Sequence, residues 1–270
     1  MLHNNLVQRI LSAAVILLVA IPVTVYGGPA FSLFVLVVAA AGWWECVTMG
    51  RAGGFRPFLL VGGVATLGVC VLAAAPAVWR DLALLAAFGG VVLAALRRRD
   101  YTAVLNDMAI TLFGVVWIGW LAGYAIYLRG IAGGVNGLAW LLTAIAVTIA
   151  ADSGAYFTGR ALGRHLLSPR VSPKKTVEGL FGGLVAAAAV GAAAALLALG
   201  RPWWQGVLIG VAGGLAAVLG DLLESLVKRQ LNVKDSSRLI PGHGGVLDRI
   251  DSLLFVIPVM AACVILIQSG

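Results

Sequence analysis

The sequence predicts an all-α, polytopic integral membrane protein, and three observations predict it. Of its 270 residues, 61% are hydrophobic and only 11% are charged, where a soluble domain carries about 25% charge. Mean hydropathy is +1.02, so the chain cannot cover its own surface with polar groups and lipid must be its solvent. The apolar residues fall in runs long enough to cross a ~30 Å hydrocarbon core, which takes about 20 residues of helix. Short loops between the runs hold most of the positive charge.

Nine spans are expected, over 10–26, 31–49, 58–78, 82–96, 109–128, 137–159, 178–200, 203–227 and 252–268. The fourth is short and Gly89-Gly90 could bend it, so the third and fourth could instead form one re-entrant hairpin. The run that ends at Pro29 lacks a small-x-small cleavage site and reads as a retained first helix. Loop charge sets the orientation. With the N-terminus cytosolic, Arg80, Arg129 and Arg201 fall outside, and the other 16 of the 19 Lys and Arg, Arg9 among them, fall inside. Trp203-Trp204 then sits at the outer interface. Glycines and alanines crowd the seventh and eighth spans, where small residues let helices approach closely in lipid. The chain reads as a single membrane-embedded unit, with N-terminal helices over 1–135 and a catalytic half over 136–270.

The net charge of +8 does not point to nucleic acid, because the cations follow the positive-inside pattern rather than one patch. Anionic headgroups or phosphate substrates remain compatible with it. Cys46, Cys70 and Cys263 lie in apolar runs without metal-like spacing and read as small buried hydrophobes.

An acid inside a span costs roughly 2.5–3.5 kcal/mol on insertion scales, so each one needs a reason. Asp152 lies in the cytosolic half of the sixth span, with Thr148 and Tyr156 on the same helix face. Asp221 lies near the cytosolic end of the eighth span, and Glu224, Ser225 and Lys228 continue its stripe at helical spacing. Asp248 and Asp251 precede the ninth span. Singly, these acids could pair with Lys228 or Arg229 or cap a helix. As a set they reach one depth on one side, which suits hard oxygen ligands for Mg²⁺ together with substrate phosphates. Glu45, beside Trp43-Trp44, is the exception among first-half spans nearly devoid of polar groups, and near the cytosolic end of its helix it could simply reach the interface.

Parts suited to phosphate surround the acids. Ser172-Pro173-Lys174-Lys175-Thr176-Val177-Glu178-Gly179 is expected to open the seventh span as a helix start with two lysines, and a helix N-terminus favours anions. Pro241-Gly242-His243-Gly244-Gly245 opens onto the ninth span, and its glycines would let backbone approach a phosphate. Lys228, Arg229, Lys234 and Arg249 supply further cations, although solvated positive-inside loops explain single ones equally well. His243 could hold the turn or touch substrate. No phosphate loop, dinucleotide turn, Cys/His metal cluster or nucleophile elbow is present in the sequence.

From Ser225 through Lys228-Arg229, Lys234-Asp235, Ile240-Pro241-Gly242-His243-Gly244-Gly245 and Asp248-Arg249 to Asp251, the sequence resembles the phosphatidate cytidylyltransferase family. The runs Asp152–Arg164 and Ser172–Gly179 resemble it too. The resemblance implies transfer of a cytidylyl group from CTP to phosphatidic acid, giving CDP-diacylglycerol and pyrophosphate. It implies a divalent cation, usually Mg²⁺, on Asp221 and Asp248, with a second cation left open; Asp152, as an additional ligand or positioning group, and Asp251 complete the expected catalytic set. Substrate contacts would fall on Lys174, Lys175, Lys228, Arg229, Lys234, His243, Gly244, Gly245 and Arg249. It implies a membrane-embedded homodimer; with the loop-charge orientation, the active site is expected to face the cytosol from the bacterial cytoplasmic membrane, with no nucleic-acid partner.

Two other readings stand beside it. A CTP-dependent polyprenol or dolichol kinase would move the γ-phosphate and release CDP. An ion-coupled transporter would place its acids near the midplane, usually in repeated halves, and no repeat is visible.

Overall fold

Hydrocarbon offers no partner to a backbone N–H or C=O, so an apolar run in lipid has to satisfy its own ladder as a helix. The computed structural model, which describes residues 2–131 and 135–269, meets that demand. Its helices are α1 (Leu2–Tyr26), α2 (Gly28–Ala52), α3 (Leu59–Leu72), α4 (Ala77–Leu96), α5 (Val104–Gly114), α6 (Leu121–Ile131), α7 (Val135–Leu162), α8 (Val177–Ala194), α9 (Trp203–Gln230) and α10 (Leu247–Ser269). A π-helical turn, Val115–Trp120, joins α5 to α6, and a second, Ala195–Leu199, extends α8. Among the described residues, 7 helices are long and apolar enough to cross a membrane; α3 and the Leu11–Tyr26 stretch of α1 are shorter apolar helices. The protein is a polytopic all-α membrane protein.

Each of the expected runs falls on a helix, and two details differ. The third was expected to reach residue 78, but α3 stops at Leu72, a turn follows, and Pro76 starts α4. Proline fixes φ and lacks an N–H, which suits it to the beginning of a helix and not to its middle. Helix α4 continues through Gly89-Gly90. The Arg9 side chain counted in the loop-charge argument lies outside the described residues.

The other difference is a two-stranded antiparallel hairpin, β1 (Leu166–Ser168) with β2 (Ser172–Thr176), paired Leu166 to Thr176 and Ser168 to Ser172. Ser172-Pro173 therefore does not open the eighth helix. Thr176 does: its Oγ1 accepts from the Gly179 N–H at 3.1 Å, and Lys174-Lys175 stand on a strand before the cap. Pro173 is tolerated there because both strands of a two-stranded sheet are edges.

The chain forms two compact units. One contains Met1–Tyr127 and also Lys228–Arg249. Its core packs the Trp43 indole with Val47, Val69, Ala87 and Val115, and Trp43 Nε1 donates to the Leu59 carbonyl at 3.0 Å. Its polar knot is Asp107 on α5, only 2% exposed. Asp107 Oδ1 accepts the Arg56 N–H at 2.7 Å and Oδ2 accepts Arg98 Nη1 at 3.2 Å, so the α2–α3 and α4–α5 connections are tied together. Arg98 also lies 4.5 Å from the Phe58 ring centroid. In the exposed α4–α5 connection, the Thr102 hydroxyl and N–H hold the Asp100 carboxyl below the usual carboxylate range.

The other unit contains Leu128–Val227 and Ile250–Gly270. Small residues set its packing: Gly191 and Gly206 each lie against the other's carbonyl, and Gly220 of α9 lies against the Asp251 carbonyl of α10. Without a hydrophobic driving force between helices in lipid, this backbone-to-backbone approach supplies the association.

Replacing Asp107 with Ala should leave the Arg56 N–H and the Arg98 guanidinium without that partner. The expected cost is roughly 1–3 kcal/mol, seen as a lower thermal midpoint of the detergent-solubilised protein.

Candidate active site

The connection from α9 to α10 belongs to the first unit and is built from signals of its own sequence. Helix α9 ends in a Schellman arrangement: the Val233 N–H reaches the Lys228 carbonyl at 2.9 Å, the Asn232 N–H reaches the Arg229 carbonyl at 3.2 Å, and Asn232 takes a left-handed φ of 56°, a role asparagine fills nearly as well as glycine. Further on, Pro241-Gly242 form the corner of a tight turn. The His243 N–H closes it on the Ile240 carbonyl at 2.9 Å, with Gly242 at φ 78°, as a type II turn requires.

Two carboxylates hold this connection. Glu45 of α2 is 0% exposed. Its Oε1 accepts from the Ser237 hydroxyl at 2.6 Å and the Val246 N–H at 2.8 Å; its Oε2 accepts from the Leu247 N–H at 2.8 Å and the Ser236 hydroxyl at 3.2 Å. Two of those donors stand at the start of α10, the Leu247 N–H in its first position and the Val246 N–H just before it, where N–H groups have no partner inside the helix. Asp248 Oδ2 accepts from the Ser236 N–H at 3.1 Å, the Ser236 hydroxyl at 2.9 Å and the Gly245 N–H at 2.8 Å, while Oδ1 meets Lys228 Nζ at 2.7 Å. Gly245 runs so close to Glu45 Oε1 that a Cβ there would lie 2.6 Å from it. Gly244 has φ 82°, where a side chain is strained.

The other expected residues of this segment are placed more loosely. Arg249 Nε donates to the His243 carbonyl at 3.0 Å. The His243 backbone closes the turn, and its Nδ1 is shielded with no hydrogen-bond partner among the described residues. Arg229, in the last turn of α9, and Lys234, within the connection, are exposed.

In the second unit the hairpin delivers Lys175 to α9, where its Nζ meets Asp221 Oδ2 at 2.6 Å. Ser225, one turn on, donates to Asp221 Oδ1 at 3.3 Å. Asp152 of α7 feels both Asp221 and Lys175 through space, so these three charged groups form one cluster. Arg160 Nη1 donates to the Tyr156 hydroxyl at 2.9 Å on the same helix. Lys174 is exposed on β2. Asp251 is half-buried in α10. Glu178 fastens the hairpin base: its Oε2 accepts the Arg164 and His165 N–H groups at 3.1 and 3.2 Å, and its Oε1 lies 2.6 Å from His165 Nδ1.

Within the described residues, then, each acid expected at the metal carries a lysine from the same motifs: Asp221 with Lys175 and Asp248 with Lys228. Paired ammonium and carboxylate groups of this kind present both signs of charge to a polyanion and its counter-cation. Glu45, Ser236 and Ser237 are the residues that spacing did not single out. Their one signal in the sequence is an acid in an apolar run, which has to find donors somewhere.

The sequence pattern of the cytidylyltransferase family matches residues 7–267. The chain belongs to the cytidylyltransferase family. Among its relatives, the phosphatidate cytidylyltransferase of Synechocystis sp. is 35% identical over 286 residues, covering 96% of this chain and 97% of the relative. The phosphatidate cytidylyltransferase of Staphylococcus epidermidis is 31% identical over 268 residues, covering 97% and 99%. That of Bacillus subtilis is 40% identical over 158 residues, 58% of each chain. As a cytidylyltransferase the chain is an enzyme.

Replacing Gly245 with Ala should force the Glu45 carboxylate and the Ser236 hydroxyl away from their donors. Overpacking of this kind costs about 1–3 kcal/mol, and if it falls on the reacting geometry, turnover should drop by roughly tenfold or more, measurable as product formed from radiolabelled CTP.

Proposed function

We propose that this chain transfers the cytidylyl group of CTP to phosphatidic acid in the membrane, releasing pyrophosphate and forming CDP-diacylglycerol. The likeness to phosphatidate cytidylyltransferases across 96% of the chain carries the reading. The acid–lysine pairs support it chemically. An oxygen of the lipid phosphate attacks the α-phosphorus of CTP, the bond from that phosphorus to the bridging β-phosphate oxygen breaks, and pyrophosphate leaves with the electron pair. The nucleophile is already an anion, so no strong base is needed, and the difficulty is bringing two polyanions together.

Each residue has a part in that difficulty. Lys175 and Lys228 stand ready to exchange a carboxylate for a phosphate oxygen, and Lys174, Arg229, Lys234 and Arg249 add positive charge to the departing pyrophosphate. The Gly244-Gly245 backbone and His243 line the turn on which a phosphate would rest.

A divalent cation fits the residues present. Asp152 and Asp221 are hard carboxylates in one cluster, and Asp221 and Asp248 each already seat an ammonium at 2.6 and 2.7 Å, where a cation would go. Asp221 and Asp248 would each offer Mg²⁺ a carboxylate, with Asp152 on α7 and Asp251 on α10 as further acids of the same motifs. Such an ion supplies charge neutralisation on phosphate oxygens, taking one or two protein carboxylates and completing its shell with substrate and water. The loop-charge asymmetry supports a cytosolic N-terminus and a cytosol-facing site. The bacterial relatives support residence in the cytoplasmic membrane, and the family resemblance supports a homodimer.

The test is purified protein with CTP and phosphatidate in mixed micelles, with pyrophosphate as readout. Asp221→Asn and Lys175→Met should each lower turnover by about 100-fold or more, and chelation of divalent cations should stop it. Release of CDP in place of pyrophosphate would instead make the protein a lipid kinase and overturn the assignment.

A further inference from the structure

Glu45 has no part in the transfer as derived above, yet its carboxylate is fully enclosed and takes hydrogen bonds from Ser236, Ser237, Val246 and Leu247. Ser236 is itself a hydrogen-bonding partner of Asp248, Ser237 adjoins it, and Val246 and Leu247 lie between Gly245, another partner, and Asp248. Ser236 serves both acids: its hydroxyl lies 3.2 Å from Glu45 Oε2 and 2.9 Å from Asp248 Oδ2, and its N–H goes to Asp248. A serine hydroxyl has one hydrogen to give, so the two carboxylates share it. Asp248 in turn holds Lys228 through its other oxygen at 2.7 Å. The result is a continuous chain from α2 to the reacting groups: Glu45, Ser236, Asp248, Lys228.

We propose that Glu45 is a positioning residue for cytidylyl transfer, acting through Ser236 and the N–H groups at the start of α10 to fix Asp248 against Lys228. The donors that orient Asp248 belong to Ser236 and Gly245, and the segment carrying both is held in place by Glu45. Without Glu45 those donors can turn away, Asp248 Oδ2 loses its fixed direction, and Lys228 is presented to phosphate in many orientations rather than one. The inference rests on the proposed reaction for its kinetic consequence and on geometry alone for the rest.

The geometry dictates the substitution. In Glu45→Gln one side of the group becomes an NH₂, which faces the Leu247 N–H or the Val246 N–H donor to donor. Ser236→Ala removes the shared hydroxyl and leaves Glu45 with Ser237, Val246 and Leu247. Both variants and the double variant are assayed with CTP and phosphatidate. The expected result is a fall in kcat of at least tenfold for Glu45→Gln and a smaller fall for Ser236→Ala. KM for CTP should stay within about twofold, because Lys174, Lys175 and Arg229 are untouched and the loss of a fixed Lys228 falls mainly on the transition state. The double variant should be no worse than Glu45→Gln alone, since one residue acts through the other. A wild-type kcat in Glu45→Gln or in Ser236→Ala overturns the proposal, and so does a double variant whose loss is the full product of the two.

A second measurement needs no substrate. Lys234 and Arg238 are exposed on either side of Ser236-Ser237, so trypsin cleavage there reads release of the segment. Cleavage at least tenfold faster in Glu45→Gln, with helix content unchanged by circular dichroism, is expected; an unchanged cleavage rate overturns the proposal. If the unaltered chain releases no pyrophosphate, the reaction assigned above has failed, and the trypsin comparison still judges Glu45.

Discussion

A buried carboxylate on the second helix organises the segment on which the chemistry depends. Glu45 costs the membrane helix a charged or polar group in hydrocarbon, and the cost is offset because four donors converge on it, two of them the unsatisfied N–H groups at the start of α10. A helix begins with N–H groups that have no internal partner and with a positive dipole end. Here an acid from far away in the chain does what an N-cap side chain does locally. Leaving any one such donor unsatisfied would cost about 1–3 kcal/mol, so acid and helix start stabilise each other, and neither is well placed alone.

From that anchor the functional parts follow. Asp248 sits in the first turn of the helix so anchored, and Lys228 sits at the end of the helix before it, on the residue whose carbonyl closes the Schellman turn. In the second unit the same logic recurs with different parts. Lys175 is brought to Asp221 by a strand, and the strand is fastened by Thr176 capping α8 and by Glu178 taking the N–H groups of Arg164 and His165. In each unit one acid fastens backbone N–H groups into a frame, Glu45 in the first and Glu178 in the second, and another acid meets a lysine.

Much of this was legible in the residues. The apolar runs gave the helices because lipid permits little else, and Pro241-Gly242 announced a turn because few residues accept its dihedrals. The motif acids and lysines were also visible, since charges in so oily a chain stand out. What could not be read were pairings between distant positions. Glu45 meets donors 191 to 202 residues away, and no local pattern records that distance. Asp107 likewise finds its partners outside its own helix, in the backbone of Arg56 and the side chain of Arg98. The hairpin was misread because Ser-Pro is a common helix opening, and strands of 3 and 5 residues are too short to display an alternating pattern.

The fastening of the hairpin has a consequence for how a nucleotide meets the protein. A lysine on a loose loop must give up its freedom when a ligand arrives, and that lost entropy is subtracted from affinity. Lys174 and Lys175 stand on a paired strand whose two ends are tied, so the ordering was completed when the chain folded. Added salt can then weaken their hold on an anion only by screening its charge, since there is no disordered arm left for the anion to recruit.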